Sequence, residues 1–441
     1  MPSDDDSSPD PFAPVALPTA GTGERTSRRR SVEQSREDEW RHDRIGAKRR
    51  RVAFAVASLL LVGSVPALIY AGYSKVLHTT AGRTVNPVDD PSEPDYQANV
   101  TPTPVELVAE VGDDGALVGA VVLSLTAGST GGSLLFLPAG TVVPIAAGGG
   151  TLKTAYASGN ADGFRRAAAL VVRTGFDGVA VIDPARWTEL VAPFTALSVV
   201  NPDKLGKTAT TPAFASGPIQ LAAGQVGSFL GARRNRAESD LNRVARQQLV
   251  WEAWLSVLGA AKTPGAFPGE TASGLGRFAL ALAAGPRTAA VLPVAPVTDG
   301  SVVDGFTPRD AEVAALTARF VPFPTSDQPG DRIRIRILDG VGAAGLSVAA
   351  ARLLVPAGAE VVIIGNAEHF GYGSTEVRPV GDGNRDRAAA LQQALGAGAV
   401  VANAVLDDVV DVTIVVGADF ATKVGITTTS TPSAASSGGT G

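Results

Sequence analysis

The longest apolar stretch of the chain lies near its N-terminus. Residues 52–73 carry no charged side chain, and a helix of that length spans about 33 Å, enough to cross the hydrocarbon core of a bilayer. Four basic residues, 48–51, come directly before it. Because basic residues favour the cytoplasmic side of a membrane, the sequence predicts a single transmembrane helix over residues 52–74. The N-terminus is then cytoplasmic and the later domains are extracytoplasmic.

Short apolar runs and amphipathic segments alternate through the next part of the chain. Apolar runs predict buried strands, and apolar residues at three- and four-residue spacing predict helices. The strands are predicted at residues 117–125, 134–137, 178–182 and 291–294, and the helices at residues 161–173, 240–258 and 307–320. This alternation predicts an α/β fold in which helices cover the faces of a sheet.

A second, smaller α/β domain follows a stretch rich in Pro and Gly. Residues 332–337 alternate between Arg and Ile, which predicts a strand with one buried side and one side in solvent. Further strands are predicted at residues 360–364 and 412–416, and helices at residues 346–354 and 386–395. These elements make a compact α/β domain over residues 331–422.

The segments between and around the two α/β domains are poor in apolar residues, so they cannot bury enough surface to offset the entropy of ordering. The predicted organisation is a disordered cytoplasmic tail (1–51), the transmembrane helix (52–74), a Pro-rich linker (75–104), the larger domain (105–322), a short linker (323–330), the smaller domain (331–422) and a disordered tail (423–441).

The composition excludes several kinds of site. The 441 residues include no Cys and three His, so disulfides, thiolate nucleophiles and Cys-ligated zinc are excluded and His-rich metal clusters are disfavoured. The formal net charge is −5, which argues against a nucleic-acid partner.

Five arginines lie within fourteen residues in the larger domain. They are Arg233, Arg234, Arg236, Arg243 and Arg246. From position 240 the pattern is helical, and Asp240, Arg243 and Gln247 fall on one face with Arg246 beside them. Guanidinium groups from a loop and the helix after it can converge on a phosphate, because arginine is always charged and binds oxyanions with two parallel hydrogen bonds. A solvated charged helix face would give the same pattern.

This stretch resembles the signature of the LytR–CpsA–Psr family, Ala-Arg-x-Arg followed by Asp-Phe-Gly-Arg-x-x-Arg-Gln-Gln. The matching positions are Ala232, Arg233, Asp240, Arg243, Arg246, Gln247 and Gln248. The resemblance implies a single-pass membrane protein whose extracytoplasmic domain is a mixed sheet flanked by helices. It also implies transfer of a glycopolymer from a polyprenyl-pyrophosphate carrier to peptidoglycan, with arginines on the pyrophosphate, an aspartate pair placing Mg²⁺ and an apolar groove for the lipid. The implied phosphate-binding residues are Arg233, Arg234, Arg236, Asp240, Arg243, Arg246 and Gln247.

The chain departs from the family pattern at the positions that place the metal. Residues 137–141 are Leu-Pro-Ala-Gly-Thr where the family has its Pro-Arg-Asp. The family's earlier aspartate falls at about Val118, and the second arginine of Ala-Arg-x-Arg falls on Asn235. We therefore expect a degenerate domain with no assigned catalytic or metal-binding residue. The alternative is a working phosphotransferase that uses Arg233, Arg243 and Arg246, and in that case Mg²⁺ is the expected cofactor.

Three glycines follow the alternating strand of the smaller domain, at Gly340, Gly342 and Gly345. Their spacing fits a dinucleotide-binding turn, but a central strand of such a fold would be apolar on both faces. The stretch is more similar to the LytR C-terminal domain family, which is appended to many such proteins in actinobacteria and implies no catalysis. The matching positions are residues 337–340, Gly342, Gly345, Leu346, Asn366, Ala367, Thr375, Leu395, Gly396 and residues 411–419.

These observations predict a cell-envelope protein that acts in cell-wall glycopolymer assembly. The expected partners are a polyprenyl-phosphate-linked glycopolymer or peptidoglycan, other LytR–CpsA–Psr proteins and the membrane in which the chain is anchored. The positive charge of the arginine cluster attracts an anionic ligand of this kind.

Overall fold

The computed structural model describes residues 88–128, 130–144, 149–206, 213–235, 238–261, 264–297, 305–402 and 409–427. The predicted transmembrane segment 52–74 and the tail 1–51 lie outside these residues. Within the described ranges no helix is both long and apolar enough to cross a membrane.

The described residues form the following elements. The strands are β1 (Gln97–Asn99), β2 (Val105–Val111), β3 (Leu117–Leu125), β4 (Gly132–Pro138), β5 (Gly178–Ile182), β6 (Ala196–Asn201), β7 (Gly217–Ala222), β8 (Arg287–Val291), β9 (Val294–Pro296), β10 (Phe306–Pro308), β11 (Ile333–Asp339), β12 (Ala359–Asn366), β13 (Glu376–Pro379), β14 (Ala399–Val400) and β15 (Val412–Val416). The helices are α1 (Leu152–Ala157), α2 (Ala161–Val172), α3 (Pro184–Val191), α4 (Val226–Gly231), α5 (Asp240–Ala261), α6 (Gly274–Ala284), α7 (Asp310–Phe320), α8 (Leu346–Leu354), α9 (Arg385–Leu395) and α10 (Ala418–Lys423).

The larger domain is built on a mixed five-stranded sheet in the order β5-β2-β3-β4-β8. The β2–β5 and β4–β8 pairs are parallel, and the two pairs between them are antiparallel. Side chains alternate between the two faces, so Leu123 packs in one core and its neighbour Val122 in the other. Both faces are buried under helices, and the predicted mixed α/β architecture is therefore observed.

The smaller domain has a six-stranded sheet in the order β1-β12-β11-β15-β13-β14. Ile335 and Ile337 of β11 are fully buried beneath α8, α9 and α10, whereas the side chain of Arg334 between them is 45% exposed. This is the two-sided strand that the Arg–Ile alternation predicts. At its end Asp339 accepts hydrogen bonds from the backbone N–H groups of Val341 and Gly342, so the glycine stretch forms a tight turn into α8.

The sixth strand of this sheet comes from the segment that the sequence predicts as a linker. Strand β1 pairs antiparallel with β12, and the flanking N–H groups of Asp95 and Val100 donate to the carbonyls of Ala367 and Val362. The free edge of β12 supplies unpaired backbone groups that the segment satisfies. The three residues of β1 are flanked by polar residues and show no alternation of apolar and polar positions. The sequence pattern therefore indicated a linker there.

Arg332 connects the two α/β domains through backbone carbonyls. Its guanidinium donates to the carbonyls of Ala359 (3.1 and 2.8 Å), Val355 (2.5 Å) and, in the larger domain, Arg173 (2.5 Å). The residue is 6% exposed, and burial lowers its pKa to about 10, so the side chain is still charged at neutral pH. The buried guanidinium therefore donates hydrogen bonds to backbone carbonyls of both domains.

We expect Arg332→Met to lower the free energy of unfolding by about 3 kcal/mol, because buried carbonyls lose their donor. Chemical denaturation of the two proteins measures the difference. Arg334→Met is the matched control, since this arginine of β11 has a side chain that is 45% exposed and its loss should cost less than about 1 kcal/mol. Equal effects of the two substitutions would contradict the structural role of Arg332.

Candidate functional site

The predicted arginine residues lie in the loop between α4 and α5 and in the first two turns of α5. The structure places Arg233, Arg234, Asp240, Arg243, Arg246 and Gln247 in this region, whereas Arg236 lies outside the described residues. The helix begins at Asp240, and its apolar positions Val244, Trp251 and Trp254 are buried in the core. Because these apolar residues hold the helix against the core, Arg243 and Arg246 of the same helix are buried as well.

Arg246 is fully buried and is neutralised by a glutamate that the sequence analysis did not single out. Its side chain and that of Glu238 are both 0% exposed, and Nη1 of Arg246 lies 2.7 Å from Oε1 of Glu238. Nη2 donates to the carbonyl of Ala232 at 2.7 Å. Burial raises the pKa of Glu238, but hydrogen bonds from Arg246 and from the backbone of Arg234 outweigh it and hold the pKa below its ordinary value. Glu238 is therefore ionised.

Asp240 forms a second ion pair and joins the helix to the sheet. Its Oδ1 accepts hydrogen bonds from Arg243 and, at 3.3 Å, from Nη2 of Arg233. Its Oδ2 accepts the backbone N–H of Gly140 at 3.1 Å, just beyond the end of β4. Gly140 stands in the stretch where the resembling family has its Pro-Arg-Asp.

The remaining two arginines lie nearer the surface. The Arg233 side chain is 30% exposed and that of Arg234 is 50% exposed, with Nη1 of Arg234 lying 3.4 Å from Oδ1 of Asp203. Among the described arginines of the cluster, these two have the most exposed side chains, and solvent screens their ion pairs more strongly than the buried ones.

Gln247 is buried against the backbone of β3. A Cβ added at Gly119 would lie 2.1 Å from its Nε2, so a larger residue at position 119 would require the Gln247 side chain to move. Neither amide atom of Gln247 has a hydrogen-bond partner. The neighbouring Val118, where the family's earlier aspartate falls, is 5% exposed and packed as an apolar residue.

Glu110 of β2 is a second buried acid that the sequence analysis missed. It is 0% exposed, its Oε1 accepts the indole N–H of Trp251 at 2.8 Å, and its Oε2 has no hydrogen-bond partner. Burial raises its pKa to about 7, against the opposing effect of Trp251. A signal was present: Glu106 and Glu110 interrupt an otherwise apolar strand at positions that share a face.

The space between α5 and the sheet is filled by aromatic side chains. Trp187, Trp251 and Trp254 contact one another edge-to-face, with ring centroids 5.3 to 5.7 Å apart, and all three are buried. Their mutual packing adds to the burial energy of the rings. Within the described residues there is no group of three or more acidic or His side chains arranged to hold a metal ion.

We expect Glu238→Gln to lower the free energy of unfolding by about 3 kcal/mol, because Arg246 then keeps a buried charge without a counter-charge. Urea denaturation at neutral pH measures the loss. Glu189→Gln is the control, since Glu189 is 60% exposed in its pair with Arg186 and should contribute about 1 kcal/mol or less. A small effect of Glu238→Gln would mean that the pair is not closed in solution.

Glu110 predicts a pH dependence of stability. Its pKa is about 7 in the folded protein and near 4.5 in the unfolded chain, so the folded state binds the proton more tightly between these values. Stability from this group is fully present below pH 4.5 and is lost as the pH rises through 7. Relative to Glu110→Gln, the wild type should lose about 2.5 kcal/mol between pH 5 and pH 8. Thermal or urea unfolding across this range tests the expectation, with Glu312→Gln as a surface control whose difference from wild type should stay constant.

Comparison with known proteins gives one family match and several similar folds. Residues 332–420 match the family model of the LytR cell envelope-related transcriptional attenuator. No curated protein matches the chain. TagV from B. subtilis is similar, with 14% identity and a TM-score of 0.41 over 50% of this chain and 96% of TagV.

Two further solved structures cover a similar share of the chain. A LytR-Csp2A-Psr enzyme from Actinomyces oris has 15% identity and a TM-score of 0.40, over 52% of this chain and 96% of its own. The structure of TagT bound to LIIa-WTA has 15% identity and a TM-score of 0.41, over 52% of this chain and 91% of its own. The family match confirms the prediction of a LytR C-terminal domain at this place: the model matches residues 332–420.

Proposed function

We propose that this protein is a membrane-anchored cell-envelope protein that takes part in cell-wall glycopolymer assembly without carrying out the transfer step itself. The family match of residues 332–420, whose description is cell envelope-related, supports the envelope role. The apolar stretch at residues 52–74 with its basic flank supports the anchor and the cytoplasmic N-terminus.

The observation that carries the non-catalytic part is the occupation of the arginines by internal carboxylates. A transferase needs guanidinium groups that neutralise the charge growing on a leaving pyrophosphate. Here the terminal nitrogens of Arg246 are bound by Glu238 and a carbonyl, and Arg243 is paired with Asp240. To reach these two arginines a pyrophosphate would have to displace a buried carboxylate, and two unpaired buried anions would result.

Binding of an anionic ligand at the surface is compatible with the same geometry. Arg233 and Arg234 have side chains that are 30% and 50% exposed, so their guanidinium groups face solvent where an anionic ligand can reach them. The proposed ligand is the phosphate group of a polyprenyl-linked glycopolymer, held at these two side chains.

A transfer assay tests the proposal directly. The full-length protein in detergent, incubated with a polyprenyl-pyrophosphate-linked glycan, peptidoglycan and Mg²⁺, should release no more product than a protein-free sample. Titration with a short polyprenyl diphosphate should nevertheless show binding, about fivefold weaker in Arg233→Gln/Arg234→Gln because two surface pairs are lost.

An active family transferase in the same assay is the positive control. Arg309→Gln is the matched binding control, because Arg309 is a surface arginine paired with Glu312 outside the cluster. Transfer by the wild type that Arg243→Gln abolishes would overturn the proposal in favour of a working phosphotransferase.

A further inference from the structure

Segment 90–100, which contains β1, lies against the edge of the smaller domain's sheet and is held there through its backbone. Two hydrogen bonds outside the β1–β12 ladder run from the N–H of Asp95 to the carbonyl of Ala367 at 2.8 Å and from the N–H of Val100 to the carbonyl of Val362 at 2.9 Å. Main-chain contacts of this kind recognise an extended backbone more than a particular set of side chains.

Asn366, the last residue of β12, binds the same segment with both its backbone and its side chain. Its N–H donates to the carbonyl of Tyr96 at 2.7 Å. Its Nδ2 donates to the carbonyls of Pro91 at 2.9 Å and Glu93 at 2.6 Å. One buried side chain of the smaller domain therefore fixes the turn of main chain that comes before β1.

The receiving edge leaves room for a backbone at close range. A Cβ added at Gly365 would lie 2.1 Å from the carbonyl oxygen of Tyr96, so a side chain at position 365 would force the segment to move. At the other end of the segment, the side chain of Val100 packs against the core of the smaller domain. The edge thus offers a main-chain approach and a contact for one apolar side chain.

Segment 90–100 is not part of the module that holds it. The family model matches residues 332–420, whereas the segment precedes the larger domain in the chain. Asn366 and Ala367, which bind it, are among the positions that resemble the LytR C-terminal domain family. A module that accepts a strand from outside itself at a sheet edge has the geometry of a peptide receptor.

Each residue of segment 90–100 is exposed or half-buried. An element held mainly by hydrogen bonds near the surface opens at a lower free energy than a buried core does. We propose that the edge of β12 together with Asn366 is a binding site for an extended peptide, and that segment 90–100 is the ligand which the chain itself supplies. The site exchanges this segment for a peptide of the same sequence while both domains stay folded.

The site ties the smaller domain to the part of the chain that follows the predicted transmembrane helix. Residues 75–89 separate that helix from the bound segment, and 15 residues span at most about 50 Å when fully extended. An occupied site keeps the edge of β12 within this distance of the end of the helix. This consequence rests on the proposed anchor, whereas the peptide site depends neither on the anchor nor on the arginine network.

The first measurement is hydrogen exchange of the β12 amides in the full-length protein in detergent. Val100 donates to β12, and Ala98, two residues before it, faces the same edge. Ala98→Pro/Val100→Pro therefore removes donors from the pairing, and exchange of the Asn366 amide should rise at least about tenfold. Thr101→Pro is the matched control, because Thr101 is exposed and lies just outside the pairing, and exchange should stay at the wild-type rate.

The second measurement adds a labelled synthetic peptide of residues 88–101. Its dissociation constant should be roughly micromolar for the double-proline variant and at least about tenfold higher for the wild type, whose own segment competes at a high effective concentration. Asn366→Ala in the double-proline chain should weaken binding about tenfold, because two hydrogen bonds are lost. Asn384→Ala is the control, since Asn384 donates to the carbonyl of Val380 beyond β13, a strand that is not a neighbour of β12.

If the double-proline variant does not fold, Asn366→Ala in the otherwise wild-type chain decides the question. Exchange of residues 90–100 should then rise at least about fivefold, while Asn384→Ala leaves it unchanged, and equal rates in the two variants would overturn the proposal. Unchanged exchange in the double-proline variant, no binding of the peptide to it, or equal binding to it and to the wild type also overturns the proposal. A peptide that carries the same two prolines should not bind, and its binding would contradict recognition through the backbone.

Discussion

A guanidinium group without solvent contact has to be neutralised where it lies, and in this protein that requirement organises the middle of the larger domain. Arg246 projects from α5 into the interior, and Glu238 meets it from the preceding loop with both side chains fully buried. The pair holds the loop over the start of the helix. At the start of the same helix, Asp240 accepts a hydrogen bond from the backbone N–H of Gly140. These contacts connect the loop, the helix and the end of β4.

In this arrangement the two buried arginines of the cluster are paired with carboxylates of the same domain. In a phosphate site the arginines are held ready for a charge that arrives with the substrate. In this chain Glu238 and Asp240 pair with Arg246 and Arg243 inside the domain. Val118 is buried, and the amide of Gly140 donates to Asp240.

The two α/β domains contact each other directly and are not connected only by the linker between them. Strand β1, which precedes the larger domain in the chain, completes the sheet of the smaller one, and Arg332 of the smaller domain binds a carbonyl of the larger. The chain therefore passes through the C-terminal domain before it enters the larger domain.

The sequence by itself determined the elements that rest on local periodicity. The apolar run of β3, the Arg–Ile alternation of β11 and the glycine turn after it are each written in a few consecutive residues, and the structure has them where the pattern indicates. It also identified the arginine cluster and the C-terminal domain family. It did not anticipate β1, whose three residues become a strand only because the edge of β12 is open to them.

What only the tertiary structure decided is which charges neutralise each other. Glu238 has no distinctive spacing in the sequence, yet it meets Arg246 across eight residues. Glu110 lies 141 positions from the Trp251 indole that it binds, and Asp327 lies 162 positions from Arg165. The energy of an ion pair depends on distance and burial in three dimensions, and neither quantity is encoded in the order of residues along the chain.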